Sequence, residues 1–301
     1  MDQPHAGGNQ GITTGVVTGV GQFDFWLWYD RAYRECADYH VPPLELDWLI
    51  GQVLGIDKLQ LRLRTGWVPP TAEIIVGLWH KRLLDRVPVQ YLAQKVSWRN
   101  LSLMVNPAVL IPRPETELLI DLIQDLELPH DRGIWVDMGT GSGSIAIALS
   151  LAFPHTLVYA TDISREALAV AQFNAQIHHA PIICRQGDWF GAIPDLRGQV
   201  TGIIANPPYI PTADLQELTV EVRYHEPHLA LDGGTDGLTA IKELIHSAPA
   251  YLIQGGVLAM ELGLGQAGTV TELLAQQPAY TSIHTHKDYG GVDRFVTAIR
   301  K

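Results

Sequence analysis

The feature that most constrains the fold is a regular alternation of apolar runs and helical segments from Pro114 to the end of the chain. Strands that alternate with helices form largely parallel sheets with helices on both faces. Residues 287–293 (KDYGGVD) are too few for a crossover helix, so the last two runs should form an antiparallel hairpin. The pattern predicts an α/β fold with a doubly wound, seven-stranded sheet. Its apolar runs lie at 134–137, 157–161, 182–185, 200–205, 256–262, 280–286 and 293–299.

The chain before this alternation begins with two different patterns. Residues 1–21 contain six glycines and predict a flexible tail, with an edge strand at ITTGVV as the alternative. Residues 22–86 predict a helical domain, because Leu46, Leu49 and Ile50 recur at the spacing of one helix face. This domain carries no recognisable catalytic constellation. We therefore expect it to hold a partner or a substrate.

Residues 87–113 predict a joint between this helical domain and a catalytic domain at 114–301. Within the joint, VSW and LSLMV alternate apolar and polar residues on either side of Arg99-Asn100, which is typical of a β-hairpin.

The charge balance argues against a protein dedicated to nucleic acid. The chain has 21 Lys and Arg against 32 Asp and Glu, a net charge of −11, whereas phosphate-binding proteins usually present a basic face. No apolar run reaches membrane-spanning length, and no Lys or Arg precedes Arg31, so neither a membrane anchor nor a secretory signal is expected. Cys36 and Cys184 lie far apart, which suits free thiols in the cytoplasm and no metal site.

A glycine-rich loop follows the first strand of the predicted sheet. Asp137 closes that strand, and a helix is expected from about Ser144. Glycines let the backbone approach a ligand, and the amides at a helix N-terminus face it. The spacing is GxGxG rather than GxGxxG, and a purely structural turn is the alternative. The loop residues that we expect to bind a cofactor are Gly139, Thr140, Gly141, Ser142 and Gly143.

The ends of the next two strands favour an adenosine ligand. Asp162 closes the second strand, 19 positions after Gly143, where an acid can accept both ribose hydroxyls. Its alternative role is to cap the helix that starts near Ser164. After the third strand, Asp188 could accept from the adenine amino group and Trp189 could cover the ring; a surface turn with a buried Trp is the alternative. These residues leave NAD and S-adenosylmethionine as candidate cofactors.

The fourth strand ends in Asn206-Pro207-Pro208-Tyr209. This tetrapeptide, on a sheet with a glycine loop after its first strand, resembles class I S-adenosylmethionine methyltransferases that act on planar nitrogens. Four further stretches narrow the resemblance to the HemK/PrmC family, the N(5)-glutamine methyltransferases of peptide chain release factors. The stretches are VLIPRPETE (109–117), TDISREALAVAQFNA (161–175), EVRYHEPHLALDGGTDGL (221–238) and DYGGVDRFV (288–296). The resemblance covers roughly residues 22 to 301.

The resemblance implies S-adenosylmethionine as cofactor and the glutamine of the Gly-Gly-Gln loop of class I release factors as methyl acceptor. The Asn206 side-chain oxygen and the Pro207 carbonyl can accept the two N–H bonds of that amide, and Asn206 also borders the expected cofactor. Pro208 brings no competing donor, and Tyr209 can pack on the flat amide. No general base is assigned, because the nitrogen becomes acidic only after methylation.

The role of the PRPETE segment stays open. Arg113 and Glu117 could close over the cofactor, or Pro114 could start a helix whose first turn favours Glu115.

Three other functions are alternatives to glutamine methylation. A nucleic-acid methyltransferase would bind the amino group of a flipped adenine or guanine with the same segment, Asn206-Pro207-Pro208-Tyr209, which we call the clamp. Such an enzyme also needs phosphate contacts, which an acidic chain disfavours. A non-catalytic scaffold is disfavoured by the intact loop, Asp162 and Asn206. An NAD-dependent dehydrogenase is disfavoured by the glycine spacing and leaves the tetrapeptide unexplained.

Overall fold

A computed structural model describes residues 23–126 and 132–301, so the predicted glycine-rich tail lies outside the described residues. The described N-terminal part is helical. Asp24 caps the first helix by accepting from the Leu27 amide at 3.0 Å, and Gly55, with φ of +70°, ends the second. The predicted face is confirmed, because Leu46, Leu49 and Ile50 are buried in one core with Trp79. The helices are α1 (Phe25–Asp38), α2 (Pro43–Leu54), α3 (Lys58–Leu63), α4 (Ile74–Leu84) and α5 (Val89–Ala93).

A short antiparallel hairpin follows α5, as predicted. It consists of β1 (Val96–Trp98) and β2 (Leu101–Leu103) and turns at Arg99-Asn100. Trp98 belongs to the same hydrophobic core as the larger sheet, and its indole N–H donates to the Arg113 carbonyl at 2.8 Å. The hairpin is thus packed on the catalytic part of the chain. The domain limits at 86 and 113 stay predictions.

The remaining strands that the structure describes form one seven-stranded sheet. They are β3 (Gly133–Met138), β4 (Thr156–Asp162), β5 (Ile182–Gln186), β6 (Val200–Ala205), β7 (Leu252–Glu261), β8 (Tyr280–Lys287) and β9 (Asp293–Arg300). Their order across the sheet is β5-β4-β3-β6-β7-β9-β8. β9 runs antiparallel to both of its neighbours, and the other pairs are parallel, which confirms the doubly wound sheet with its antiparallel final hairpin.

Helices cover both faces of this sheet. The core on one face includes Ile120, Ile147 and Val170, and the core on the other includes Leu244 and Val270. The strand order reverses between β3 and β6, and open α/β sheets bind ligands in the crevice at such a point, beyond the carboxyl ends of the strands. The helices are α6 (Leu118–Asp125), α7 (Ser144–Ala152), α8 (Arg165–Ile177), α9 (Val220–His225), α10 (Thr239–Ser247) and α11 (Ala267–Gln276).

Among the described helices, none is both long enough and apolar enough to cross a membrane.

Candidate active site

A cavity of about 1300 Å³ opens at the carboxyl ends of β3, β4, β5 and β6, where the reversal of strand order places a site. The glycine loop forms one wall. Gly139, Gly141 and Gly143 have φ of +74°, +54° and +84°, a region that other residues resist. A Cβ on Gly143 would lie 3.1 Å from the Cα of Ala171, so the loop also packs closely on α8. The glycines therefore set both the shape of the loop and its position.

Asp137 supports this loop from within the protein. Its Oδ2 accepts from the Thr140 hydroxyl at 2.6 Å and from the Ala146 amide at 3.1 Å. Burial raises the pKa of Asp137 to about 7. Asp137 Oδ1 and the buried Ser142 hydroxyl have no hydrogen-bond partner among the described residues. Asp137 and the loop thus contain polar atoms whose hydrogen bonds the described residues do not supply.

Asp162 connects the end of β4 to the glycine loop. Its Oδ2 accepts from the Gly141 amide at 2.9 Å and its Oδ1 from the Ser164 amide at 2.9 Å. The N-cap of α8 is Ser164, whose hydroxyl accepts from the Ala167 amide, and Asp162 supports the start of that helix through the Ser164 amide. A carboxylate offers about four lone pairs, so acceptor capacity remains on Asp162 beyond its bonds to backbone amides. Burial raises the pKa of Asp162, and its side chain lines the cavity, so these lone pairs can accept from a ligand.

Asp188 and Trp189 form the cavity wall beyond β5. Asp188 is exposed and Trp189 is half-buried. A Cβ on Gly139 would lie 3.9 Å from the Trp189 ring, so the ring stands beside the glycine loop. Trp189 has φ of +42°, an uncommon conformation for a bulky residue. Strained backbone of this kind concentrates at ligand sites.

The Asn206-Pro207-Pro208-Tyr209 segment leaves the end of β6 at the same cavity. Asn206 and Pro208 line the cavity, Pro207 is buried, and Tyr209 is half-buried. The Tyr209 carbonyl accepts from Gln266 Nε2 at 2.9 Å. Burial raises the pKa of Tyr209 to about 12. The structure thus brings Asn206 and Pro208 to the cavity wall with the glycine loop, whereas it does not place Tyr209 there.

Two residues that the sequence did not single out join Asn206. Asn206 Nδ2 donates to the Thr116 hydroxyl at 3.2 Å, and that hydroxyl donates to Glu261 Oε2 at 2.6 Å. The Tyr209 hydroxyl faces Glu261 Oε1 at 3.5 Å. Thr116 lies inside the PRPETE segment and Glu261 ends β7, beside the end of β6. Glu261 could have been identified from the sequence as an acid at the carboxyl end of β7.

The PRPETE segment had two alternative roles, to close over the cofactor or to start a helix, and different residues suit each role. Arg113 lines the cavity, and its guanidinium donates to the buried carboxylate of Glu226 at 2.7 Å. Glu117 instead accepts from the Arg99 amide at 2.8 Å, in the hairpin. Pro114 precedes a short 3₁₀ helix, Glu115–Glu117, that leads into α6. Only Arg113 of the expected pair therefore faces the cavity.

The part of the chain that the structure describes holds no group of three or more His, Cys, Asp and Glu placed to bind a metal ion.

Comparison with known proteins identifies the family. A family model, the methyltransferase small domain, matches residues 114–224. A release factor glutamine methyltransferase of Synechocystis sp. is 43% identical over 298 residues, which cover 95% of this chain and 99% of that protein. The chain belongs to the release factor glutamine methyltransferase family. A second family member, from Thermosynechococcus vestitus, is 44% identical over 263 residues, covering 84% of this chain and 90% of its own. The resemblance inferred from the sequence motifs is thereby confirmed.

A solved structure supports the fold. The catalytic domain of hMettl16, in complex with MAT2A 3'UTR hairpin 6, matches with a TM-score of 0.54 at 16% identity, covering 76% of this chain and 81% of that chain. At this identity the likeness concerns the fold alone, which is that of class I S-adenosylmethionine-dependent methyltransferases. A release factor glutamine methyltransferase is an enzyme of methyl transfer, so the dehydrogenase and scaffold interpretations are wrong.

Proposed function

We propose that this protein transfers a methyl group from S-adenosylmethionine to the side-chain amide nitrogen of the glutamine in the Gly-Gly-Gln loop of class I peptide chain release factors, and so tunes translation termination in the cytoplasm. The observation that carries the proposal is the orientation of Asn206. Its Nδ2 is engaged by Thr116, which leaves Oδ1 as the acceptor for a substrate at a cavity bordered by the glycine loop. The names of the family members supply the class of acceptor.

The cavity fits the proposed cofactor. Asp162 would accept from the ribose hydroxyls with its remaining lone pairs. Asp188 would accept from the adenine amino group, and Trp189 would cover the ring. The unpartnered Ser142 hydroxyl and the positive-φ glycines belong to the loop that the methionine part would approach. The residues that would hold the cofactor are Gly139, Thr140, Gly141, Ser142, Gly143, Asp162, Asp188, Trp189 and Asn206.

When bound, S-adenosylmethionine supplies an electrophilic methyl group on its sulfonium sulfur. The task of the chain is to present an amide nitrogen whose lone pair is delocalised into the neighbouring carbonyl. Asn206 Oδ1 and the Pro207 carbonyl would accept the two N–H bonds of that amide, which fixes its plane and raises the electron density on nitrogen. In-line transfer needs the reacting atoms at about 3 to 3.5 Å before the reaction.

The remaining parts of the clamp would exclude competitors. Pro207 and Pro208 carry no amide hydrogen, so neither adds a backbone donor of its own beside the substrate amide. Tyr209 does not line the cavity, so its packing on the flat amide stays a prediction. The nitrogen becomes acidic only after it has gained the methyl group, so the proton can leave late and no general base is proposed.

We further propose that the N-terminal helices, in the predicted domain 22–86, help to bind the release factor. These helices contact the segment that follows the clamp. Glu221, in α9, pairs with Arg82 at 2.9 Å and with Arg86 at 2.6 Å. The ring of His225 is 2.7 Å from the Asp85 carbonyl. A release factor that entered the cavity would therefore meet both parts of the chain.

The test is methyl transfer from labelled S-adenosylmethionine to four acceptors in parallel: a class I release factor, its loop Gln→Ala variant, bulk DNA and tRNA. The proposal predicts label on the release factor and none on its variant. Asn206→Ala should abolish the transfer even at cofactor concentrations that saturate the variant. Label on DNA or tRNA instead would assign the same clamp to a nucleic-acid amino group, and label on the Gln→Ala variant would exclude the loop glutamine as the acceptor.

A further inference from the structure

We propose that Thr116 and Glu261 are positioning residues that fix which end of the Asn206 side-chain amide faces the substrate. This inference rests on the proposed function, in which Asn206 Oδ1 accepts from the glutamine amide. It adds two residues, separated by 145 positions in the chain, to the machinery of that reaction.

Glu261 sets the direction of these hydrogen bonds, because its ionised carboxylate can only accept them. Its Oε2 lies 2.6 Å from the Thr116 hydroxyl oxygen, so the Thr116 proton points at Glu261. With its proton engaged by Glu261, the Thr116 hydroxyl can only accept hydrogen bonds from its other neighbours. Glu261 thus turns Thr116 into an acceptor towards Asn206.

The side-chain amide of Asn206 has a donor end, Nδ2, and an acceptor end, Oδ1, of nearly equal shape. An acceptor at Thr116 selects the donor end, and Nδ2 lies 3.2 Å from the Thr116 hydroxyl oxygen. The opposite orientation would bring two acceptors face to face. Oδ1 is consequently turned away from Thr116 and is available at the cavity wall, where the substrate N–H bonds need an acceptor.

Burial makes this chain of hydrogen bonds decisive. Thr116 is 3% exposed and Glu261 is 2% exposed, so water does not compete for their polar atoms. In such an environment hydrogen bonds strengthen one another, and an unpaired polar group is costly. An Asn206 amide without this support could rotate and present Nδ2 to the substrate, where a donor would meet a donor.

The test compares Thr116→Val, which keeps the shape and removes the hydroxyl, with Thr116→Ser, which keeps the hydroxyl. Thr116→Val should lower kcat on the release factor by about 10- to 100-fold, the order expected when a reacting group is misplaced. The KM for S-adenosylmethionine should stay within about threefold, because the pair acts on the methyl acceptor rather than on the cofactor. Thr116→Ser should restore most of kcat. Thr297→Val, at another buried threonine in β9, is the matched control and should leave kcat unchanged.

Three outcomes would overturn the inference: a normal kcat for Thr116→Val, an equal loss in Thr116→Ser, or a loss that appears only as a higher KM for the cofactor. Wild-type protein that transfers no methyl group to release factor would instead refute the proposed function.

The orientation of Asn206 has a readout that needs no activity. In proton–nitrogen NMR of isotope-labelled protein, the side-chain amide of Asn206 is assigned by its loss in Asn206→Asp. Its protons should exchange slowly in the wild type and in Thr116→Ser, and at least tenfold faster in Thr116→Val, because the hydrogen bond to Thr116 is gone. Equal exchange in Thr116→Val would contradict the inference whatever the substrate.

Discussion

Arg82 and Glu221 stand 139 positions apart in the chain and form a hydrogen-bonded ion pair of 2.9 Å. Arg82 lies in the last turn of α4 with a side chain only 4% exposed, and it also binds Glu45 through two hydrogen bonds. Glu221 lies in α9, the helix that follows the clamp. The pair therefore joins the helical part of the chain to the segment that leads away from the reacting amide.

Replacing Arg82 should destabilise the protein, because the substitution leaves two carboxylates without their shared partner. We expect Arg82→Gln to lower the free energy of unfolding by about 2 kcal/mol, in the range for hydrogen bonds to charged groups. Denaturant-induced unfolding measures this change. Glu221→Gln should cost less, since Arg82 keeps Glu45. Arg31→Gln, in a pair whose Arg side chain is 76% exposed, is the control and should leave the unfolding midpoint in place. Equal effects at Arg82 and Arg31 would contradict the role given to this ion pair.

The glycine loop predicts different effects for the same substitution at two positions. Gly143→Ala brings a Cβ to 3.1 Å from the Ala171 backbone at a φ of +84°, whereas Gly141→Ala meets open space and bears only the strain of its φ. Gly143→Ala should therefore lower both thermal stability and cofactor affinity far more than Gly141→Ala. The strain alone costs roughly 1–2 kcal/mol. Gly268→Ala, in α11 with open space around it, should leave the melting temperature unchanged or raise it. Calorimetry and cofactor titration decide between these expectations.

Asp162 should control cofactor affinity. Asp162→Asn weakens the acceptor for the ribose and for the Gly141 amide, so the Kd for S-adenosylmethionine should rise about 10- to 100-fold, which corresponds to one or two charged hydrogen bonds. Isothermal titration calorimetry measures the constant directly. Asp195→Asn removes an acid that binds Arg185 outside the cavity, and it should leave the affinity unchanged. An unaltered Kd in Asp162→Asn would remove Asp162 from the site.

Activity should fall as the pH drops through about 7. Burial raises the pKa of Glu261 to about 7, while Arg294 lowers it and Glu115 raises it. Above that pH the carboxylate accepts from Thr116 and faces the Tyr209 hydroxyl; below it the protonated acid can donate to Thr116 and reverse the chain of hydrogen bonds. In a plot of kcat at saturating cofactor against pH, the acidic limb, where kcat falls as the pH drops, should therefore have its midpoint near pH 7. Glu261→Gln should be slow and lack that limb. Saturating cofactor matters, because Asp137 also has a pKa raised to about 7 and supports the cofactor loop. A limb that is unchanged in Glu261→Gln would assign it to another group.

Local sequence patterns were enough to predict the sheet and part of the site. The central apolar runs, such as β6, became strands because they are buried between helices. The glycine loop and Asp162 meet because parallel strands end at one edge. These features follow from hydrophobic periodicity and strand direction, and both can be read from residues close together in the sequence. The fold was therefore predicted correctly from these patterns, whereas the family was predicted correctly from the resemblance of its motifs.

Contacts between distant segments were not predictable in this way. Thr116 meets Glu261 only because the 3₁₀ helix Glu115–Glu117 packs at the end of β7, and no spacing in the sequence encodes that packing. Similarly, Ser164 rather than Asp162 caps α8, since both residues offer a suitable oxygen and only the backbone path decides between them. The roles of the individual site residues stay predictions that the variants above test.

The central claim is that the acceptor is the nitrogen of one glutamine side chain, held by Asn206. The most direct measurement is tandem mass spectrometry of a class I release factor after incubation with the protein and S-adenosylmethionine, with Asn206→Ala as the parallel reaction. We expect a single added methyl group on the side-chain nitrogen of the Gly-Gly-Gln glutamine, absent from the Asn206→Ala reaction. A methyl group on any other residue, or an equal yield with Asn206→Ala, would contradict it.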